Sequence, residues 1–345
     1  MSGEIRRAFA PGRVNLIGEH TDYTGGLCLP MAIGLGTTAS FERLLGSPEV
    51  LVRSRLYREP VRVGLDLSAT TEAIRAIEPP WGRYAAAVVA TLGPKEGGVV
   101  EVESDLPVGA GLSSSASFEL ALSLALGFEG DALSLAKSCQ AAEQLAFGSP
   151  TGILDQASSA LGRAGFAMRL DCHDLSVRYV PLPEEVDIVV VDSGETRAVA
   201  ETAYEERRLQ CLAAEEAIGP LRQAAPGDEK SIKDPLIARR ARHVVSENAR
   251  VDAFAEALAG GDLAEAGRLM DESHASLAGD YEVSTPTLDE LASHLRRFEG
   301  VFGARLTGAG FGGCVVALTR SGALSTRLAR NDHWVVGPAA GARLL

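Results

Sequence analysis

Charged side chains crowd an apolar stretch near the start of the chain. Arg13, Glu19, His20 and Asp22 all fall within residues 10–23, APGRVNLIGEHTDY. Glycines at 12, 18, 25 and 26 deny this segment a regular helix, so it reads as a loop that presents side chains. Carboxylates at this spacing can each accept hydrogen bonds from neighbouring hydroxyls, which is how sugars are held. A metal cluster of Glu19, His20 and Asp22 is the alternative, but no further ligand spacing supports it. A solvated turn fits poorly with the apolar flanks.

A second stretch, residues 107–117 (PVGAGLSSSAS), follows an alternating strand pattern and precedes an apolar helical run, FELALSLALGF. A glycine-rich turn between strand and helix gathers unpaired N–H groups and the positive end of the helix dipole, an arrangement that suits phosphate. Gly109 and Gly111 allow close backbone approach, and the serine hydroxyls suit phosphate or a magnesium ion. The bland reading is a serine-capped helix; three consecutive serines serve a cap poorly and a multi-oxygen ligand well. Asp155 is a third candidate. It follows Ser149 and Pro150, which suit a helix start, and sits among Ile153, Leu154, Ala157 and Leu161. The helix dipole favours a negative charge there. Such an aspartate is either the partner of a buried arginine or a positioned base.

Composition narrows the partners. With 345 residues the chain can build two cores, and 46% hydrophobic and 23% charged residues are ordinary for a globular protein. A net charge of −13 argues against nucleic acid or an anionic membrane surface, so polyphosphate must be held by local dipoles, an arginine and a metal. None of Lys95, Lys137, Lys230 and Lys233 lies in a glycine-rich loop, which excludes a Walker-type loop. Five cysteines without a C-x-x-C pair indicate neither a disulfide framework nor a zinc site and fit a reducing cytoplasm. Neither a signal peptide nor a membrane span is expected.

The elements that must carry these groups follow from periodicity. A strand is expected over residues 4–10, strand alternation within 34–67, and a helix from Trp81 and Tyr84 through Leu92, whose aromatics suit a core or a stacked adenine. A helix over 132–147 carries Glu143. Residues 181–185 (PLPEE) are the best linker candidate, followed by a buried strand from Val186 and a helix over 199–218 with Tyr204, Arg207 and Arg208. Three further helices follow, the last starting near Thr285 and Pro286. Gly308, Gly310 and Gly313 satisfy G-x-G-x-x-G, but a strand follows, so the dinucleotide reading fails and a backbone packed against a ligand or another domain is expected. Residues 334–336 read as a closing strand.

Four segments in order, PGRVNLIGEHTDY (11–23), PVGAGLSSSAS (107–117), GILDQ (152–156) and RLTGAGFGGC (305–314), resemble the galactokinase branch of the GHMP small-molecule kinases. The resemblance implies a two-domain α/β (α+β) fold with the active site in the cleft between domains. The N-terminal domain would span 1–183, completed by a strand near 330–345, and the C-terminal domain 184–329. It implies transfer of the γ-phosphoryl of ATP to the C1 hydroxyl of galactose, with Mg2+ as cofactor. Asp155 would take the hydroxyl proton and Arg13 would sit beside it. Glu19, His20 and Asp22 would hold sugar hydroxyls, helped by Gly152 and Tyr204. Gly109, Gly111, Leu112, Ser113, Ser114 and Ser115 would wrap the phosphates, and Ser115 and Glu143 would bind magnesium. Thr24, Thr151 and Leu154 depart from the residues common in that branch, which leaves the sugar open to N-acetylgalactosamine, arabinose or galacturonate. A non-catalytic sugar or ATP sensor is the reading from another class. Partners would be small molecules, with neither nucleic acid nor membrane, and the chain a cytoplasmic monomer or weak homo-oligomer.

Overall fold

The computed structural model describes residues 5–107, 109–195, 200–324, 328 and 333–345. The chain opens with β1 (Ile5–Asn15), β2 (Leu27–Cys28), β3 (Pro30–Arg43), β4 (Glu49–Ser54) and β5 (Tyr57–Gly64). Then come α1 (Thr71–Arg75), α2 (Gly82–Leu92), β6 (Gly98–Ser104), α3 (Ser114–Ala125), α4 (Ala132–Phe147) and α5 (Leu154–Leu161). Next are β7 (Phe166–Asp171), β8 (Val177–Pro181), β9 (Val186–Asp192), α6 (Ala200–Ile218), α7 (Pro235–Ala259), α8 (Leu263–Gly279) and α9 (Pro286–Arg296). The chain closes with β10 (Val301–Thr307), β11 (Cys314–Arg320), β12 (His333–Val336) and β13 (Arg343–Leu344).

The strands form a six-stranded sheet in the order β13-β1-β3-β6-β4-β5, a four-stranded sheet β10-β11-β9-β12 and a three-stranded sheet β2-β7-β8. The last residues therefore divide: β12 pairs with β9 in the four-stranded sheet, whereas β13 returns to β1. One apolar core joins the six-stranded sheet to α2, α3, α4 and α5. Another fills the space between the four-stranded sheet and α6, α7 and α9. A third lies where the halves meet, bringing Val14, Leu16 and Met31 against Val251, Phe254, Met270 and Val316. Residues 182–185 join β8 to β9 as a short loop, Leu182 packing on that shared core.

Two local departures from the sequence pattern bear on the site. β1 continues past Ala10, with a register shift against β3 between Pro11 and Arg13. Proline brings no N–H to the ladder, and such an irregularity re-aims the next side chain, here Arg13. Ser149 and Pro150 do not start α5. The helix begins at Leu154, with Ile153 as an N-cap that makes no side-chain bond. Residues ahead of it stay irregular because Gln140 and Gln144 on α4 donate to the Thr151 carbonyl at 2.9 and 3.2 Å. Asp155 thus falls in the first turn of α5.

Candidate active site

The bulge in β1 turns Arg13 toward the N-terminus of α5. Its Nε donates to Asp155 Oδ1 at 2.8 Å and Nη2 lies 2.5 Å from the same oxygen, while Nη1 donates to the Gly111 carbonyl at 2.6 Å. The Arg13 N–H also donates to the Leu112 carbonyl at 3.1 Å. Arg13, only 6% exposed, thus ties the glycine-rich loop to the aspartate. Gly109 and Gly111 hold φ of 81° and 78°, the left-handed region that glycine enters without strain. Ser113 shares that region at φ 58° and makes no N-cap bond for α3; its hydroxyl donates instead to Asp155 Oδ2 at 2.5 Å. The capped-helix reading therefore fails, and Ser113 is spent on Asp155 where a phosphate contact was expected. Leu112 is core, so only its backbone is available to a ligand.

Glu19 and Asp22 reach the same place from residues 16–26. This loop is braced by the Gly18 N–H donating to Glu247 Oε1 at 3.0 Å and by the Thr21 hydroxyl donating to the Leu27 carbonyl at 2.7 Å. Glu19 Oε1 accepts from the Gly308 N–H at 2.7 Å and lies 3.2 Å from the Thr307 hydroxyl. The Gly308–Gly313 loop, between β10 and β11, thus packs on the first loop and lines the cavity through Gly308 and Ala309. Asp22 has no ion-pair partner among the described residues. Burial, then the nearby Asp155 and Glu19 charges, push its carboxyl up to about 7. Gly152 abuts it: a Cβ there would lie 1.6 Å from Asp22 Oδ2, so only glycine admits the carboxylate.

His20 borders the cavity but spends both ring nitrogens on protein. Nε2 lies 3.1 Å from the Ala309 carbonyl, which can only accept, so Nε2 carries the proton. Nδ1 then accepts from the Tyr23 hydroxyl at 3.0 Å. Burial lowers His20 to about 3, keeping it neutral. The Tyr23 hydroxyl lies 2.5 Å from that of Tyr281. This commitment departs from the expectation that His20 bonds a sugar: it is a fixed wall of the site. Tyr204 packs on His20 and Tyr23 with ring centroids 5.9 and 5.3 Å apart.

These groups line a cavity of about 270 Å³ that collects Arg13, Glu19, His20, Asp22, Ser115, Glu143, Gly152, Asp155 and Tyr204. Gly109, Gly111, Leu112, Ser113 and Ser114 are not among its walls. A second cavity of about 290 Å³ adjoins it through Tyr84 and Ser115 and is walled by Ser114, Leu106, Phe118, Tyr57 and Trp81. In it Tyr57 stacks on Trp81 with centroids 4.9 Å apart at 7°. At the junction Ser115 donates to Glu143 Oε1 at 3.2 Å. Burial, then Asp155, raise the Glu143 carboxyl, and no cation among the described residues pairs with it. Hard oxygen ligands without a counter-charge suit Mg2+, which takes one or two protein ligands beside phosphate and water. No cluster of three or more His, Cys, Asp or Glu able to hold a metal occurs among the described residues, so Glu19, His20 and Asp22 form none.

Family models match in three places: a galactokinase galactose-binding signature at residues 2–43, a GHMP kinase N-terminal domain at 73–163 and a GHMP kinase C-terminal domain at 254–331. A galactokinase of Roseiflexus sp. (strain RS-1) is 40% identical over 362 residues, covering 94% of this chain and 89% of that protein. The chain belongs to the galactokinase family. The Homo sapiens galactokinase is likewise 40% identical, over 93% of this chain and 88% of its own. The crystal structure of Lactococcus lactis galactokinase complexed with galactose superposes with a TM-score of 0.90 at 31% identity, covering 99% of this chain and 95% of that one. At 21% identity and TM-score 0.69, the Methanococcus jannaschii mevalonate kinase shares the fold.

Sequence spacing missed Tyr57 as the partner of Trp81, Ser113 as a partner of Asp155, and the β10 end as the support of Glu19. Trp81 and Tyr84 carried a signal as aromatics at helical spacing, and the glycines at 308, 310 and 313 carried one as a closely packed backbone.

Proposed function

We propose that the protein transfers the γ-phosphoryl group of ATP to the C1 hydroxyl of galactose, giving galactose 1-phosphate and ADP. One observation carries the reading: Asp155, fixed by Arg13 and Ser113, faces the same cavity as Glu19 and Asp22, and that cavity opens through Ser115 into an aromatic slot. Phosphoryl transfer asks mainly for positioning and charge stabilisation. Asp155 accepts the proton of the attacking hydroxyl as the new O–P bond forms, and the electron pair of the breaking bond leaves with ADP. Arg13 holds Asp155 and faces the phosphoryl group. Glu19 and Asp22 receive sugar hydroxyls, Gly152 and Tyr204 completing that wall. Backbone N–H groups of residues 109–115 receive the phosphates, Trp81 and Tyr57 the adenine. Ser115 and Glu143 would hold Mg2+, which would supply charge neutralisation for the phosphate groups.

Residues 1–183 and 184–329 act in this reading as the two kinase domains, the site lying between them. The partners are small molecules, and the chain works in the cytoplasm as a monomer or weak homo-oligomer. No helix among the described residues is long and apolar enough to cross a membrane.

The test is Mg2+-dependent ADP release with ATP across galactose, N-acetylgalactosamine, arabinose, galacturonate and glucose. Galactose is expected to give the highest kcat/KM. A higher value for another sugar would reassign the substrate, and thermal stabilisation by galactose without ADP release would make the protein a sensor.

A further inference from the structure

Arg305 is the largest unexplained charge near the site. It sits in the middle of β10 and is 0% exposed. Its neighbours Ala304 and Leu306 face the core against α6, α7 and α9, so Arg305 and Thr307 face the junction with β1. There Nη1 donates to the Asn15 carbonyl at 3.4 Å, and Nη2 lies 3.7 Å from Glu19 Oε1. Among the described residues Nε and Nη2 find no hydrogen-bond partner. A guanidinium buried with so little solvation is strongly unfavourable unless an anion compensates it.

The choice of anion follows from how neighbouring carboxylates are served. Glu247 has Arg250 at 2.8 Å and the Ser273 hydroxyl at 2.5 Å. Asp155 has Arg13 at 2.5 Å. Asp22 has no cationic partner among the described residues and is pushed up to about 7. Glu19, 5% exposed, is the carboxylate that Arg305 reaches. Among the described residues the hydrogen bonds and the ion pair of Glu19's carboxylate fall on Oε1, from Gly308, Thr307 and Arg305, which leaves Oε2 to the cavity that Glu19 lines.

We propose that Arg305 is a positioning residue for Glu19. From the far side of the junction it supplies the counter-charge that anchors Oε1 to β10 and leaves Oε2 turned to the sugar. The inference rests on the reading of Glu19 as a sugar ligand.

A double-mutant cycle on the full chain tests it, with kcat/KM for galactose and KM for ATP measured in Glu19→Gln, Arg305→Gln and the combined variant. Arg305→Gln should lower kcat/KM for galactose about 10–100-fold, the scale of the coupling between two close buried charges, through KM and with little change in the KM for ATP. In the Glu19→Gln background the same change should cost less than about threefold, because coupled residues are not additive. Arg305→Lys, which keeps the charge but loses the fork, should fall between wild type and Arg305→Gln. Equal losses in both backgrounds, or an equal rise in the KM for ATP, would overturn the proposal. Should Arg305→Gln fail to fold, Arg305→Lys carries the cycle: a loss seen with Glu19 and absent in the Glu19→Gln background supports the anchoring, and equal losses refute it. Wild-type galactose kinetics in Glu19→Gln would take down the sugar role of Glu19 and the proposal together. A defect in Glu19→Gln with additive Arg305 effects sinks the Arg305 role alone.

Discussion

Gly152→Ala is the sharpest test of the sugar side. Gly152 does not occupy the left-handed region, so alanine brings no backbone strain. What it brings is a methyl group 1.6 Å from Asp22 Oδ2 and 2.2 Å from its Cγ, where carbon contacts below 3.0 Å do not occur. The carboxylate must retreat by more than an ångström. A misplacement of about 1 Å in a binding or reacting group can cost ~10²-fold in rate, and overpacking costs about 1–3 kcal/mol of stability. Gly152→Ala should therefore lower kcat/KM for galactose by roughly 10–100-fold, at the scale of one charged hydrogen bond, with the KM for ATP nearly unchanged. The assay is coupled ADP release with one substrate varied at saturating levels of the other, together with melting curves without sugar. Removing the obstacle in Gly152→Ala/Asp22→Ala should recover the melting temperature of Asp22→Ala. Galactose kinetics within about twofold of wild type in Gly152→Ala, or a double variant melting well below Asp22→Ala, would refute the contact and the placement of Asp22.

Other outcomes follow from the same geometry. Asp155→Asn should lower kcat by about 10²–10⁴, the weight of a positioned base, and near-normal turnover would remove it from proton transfer. Asp22 has its folded-state pKa raised to about 7 from 3.8, so its contribution to stability is greatest below the unfolded value and is lost as pH rises through 7. The gain in melting temperature from Asp22→Asn should then be larger at pH 8 than at pH 5, and an equal gain at both would contradict the burial of that charge. Trp81→Ala should raise the KM for ATP about tenfold or more, the value of a lost stacking face, and spare the KM for galactose. A reversed pattern would exchange the two cavities.

Where chemistry depends on neighbours in sequence, the chain was readable. Thr285 and Pro286 announce α9, and the Thr285 hydroxyl does accept from the Leu288 N–H at 3.2 Å. Helix α4 has the span its periodicity gives, and the glycines of 308–313 do join two strands. The first position of the expected 4–10 strand, the first position of the expected 199–218 helix and Val108 in the glycine-rich loop lie outside the described residues. What spacing could not convey is partnership over distance. Ser113 looks like a phosphate ligand until Asp155, 42 residues on, claims its hydroxyl. His20 looks free until Ala309 and Tyr23 take its nitrogens. Ser149 and Pro150 look like a helix start until α4 holds the next turn away from helical geometry. In each case a tertiary contact outweighs a local preference.

The support of the first loop by the last glycine-rich turn has a bearing on protein engineering. Glu19 is held by groups 289 positions downstream, and Gly18 by one 229 positions away. A segment such as 16–26 is accordingly no portable cassette. Grafted alone onto a related scaffold it would arrive without its scaffolding, so altered selectivity has to be sought by exchanging it together with its partners around residues 247 and 308.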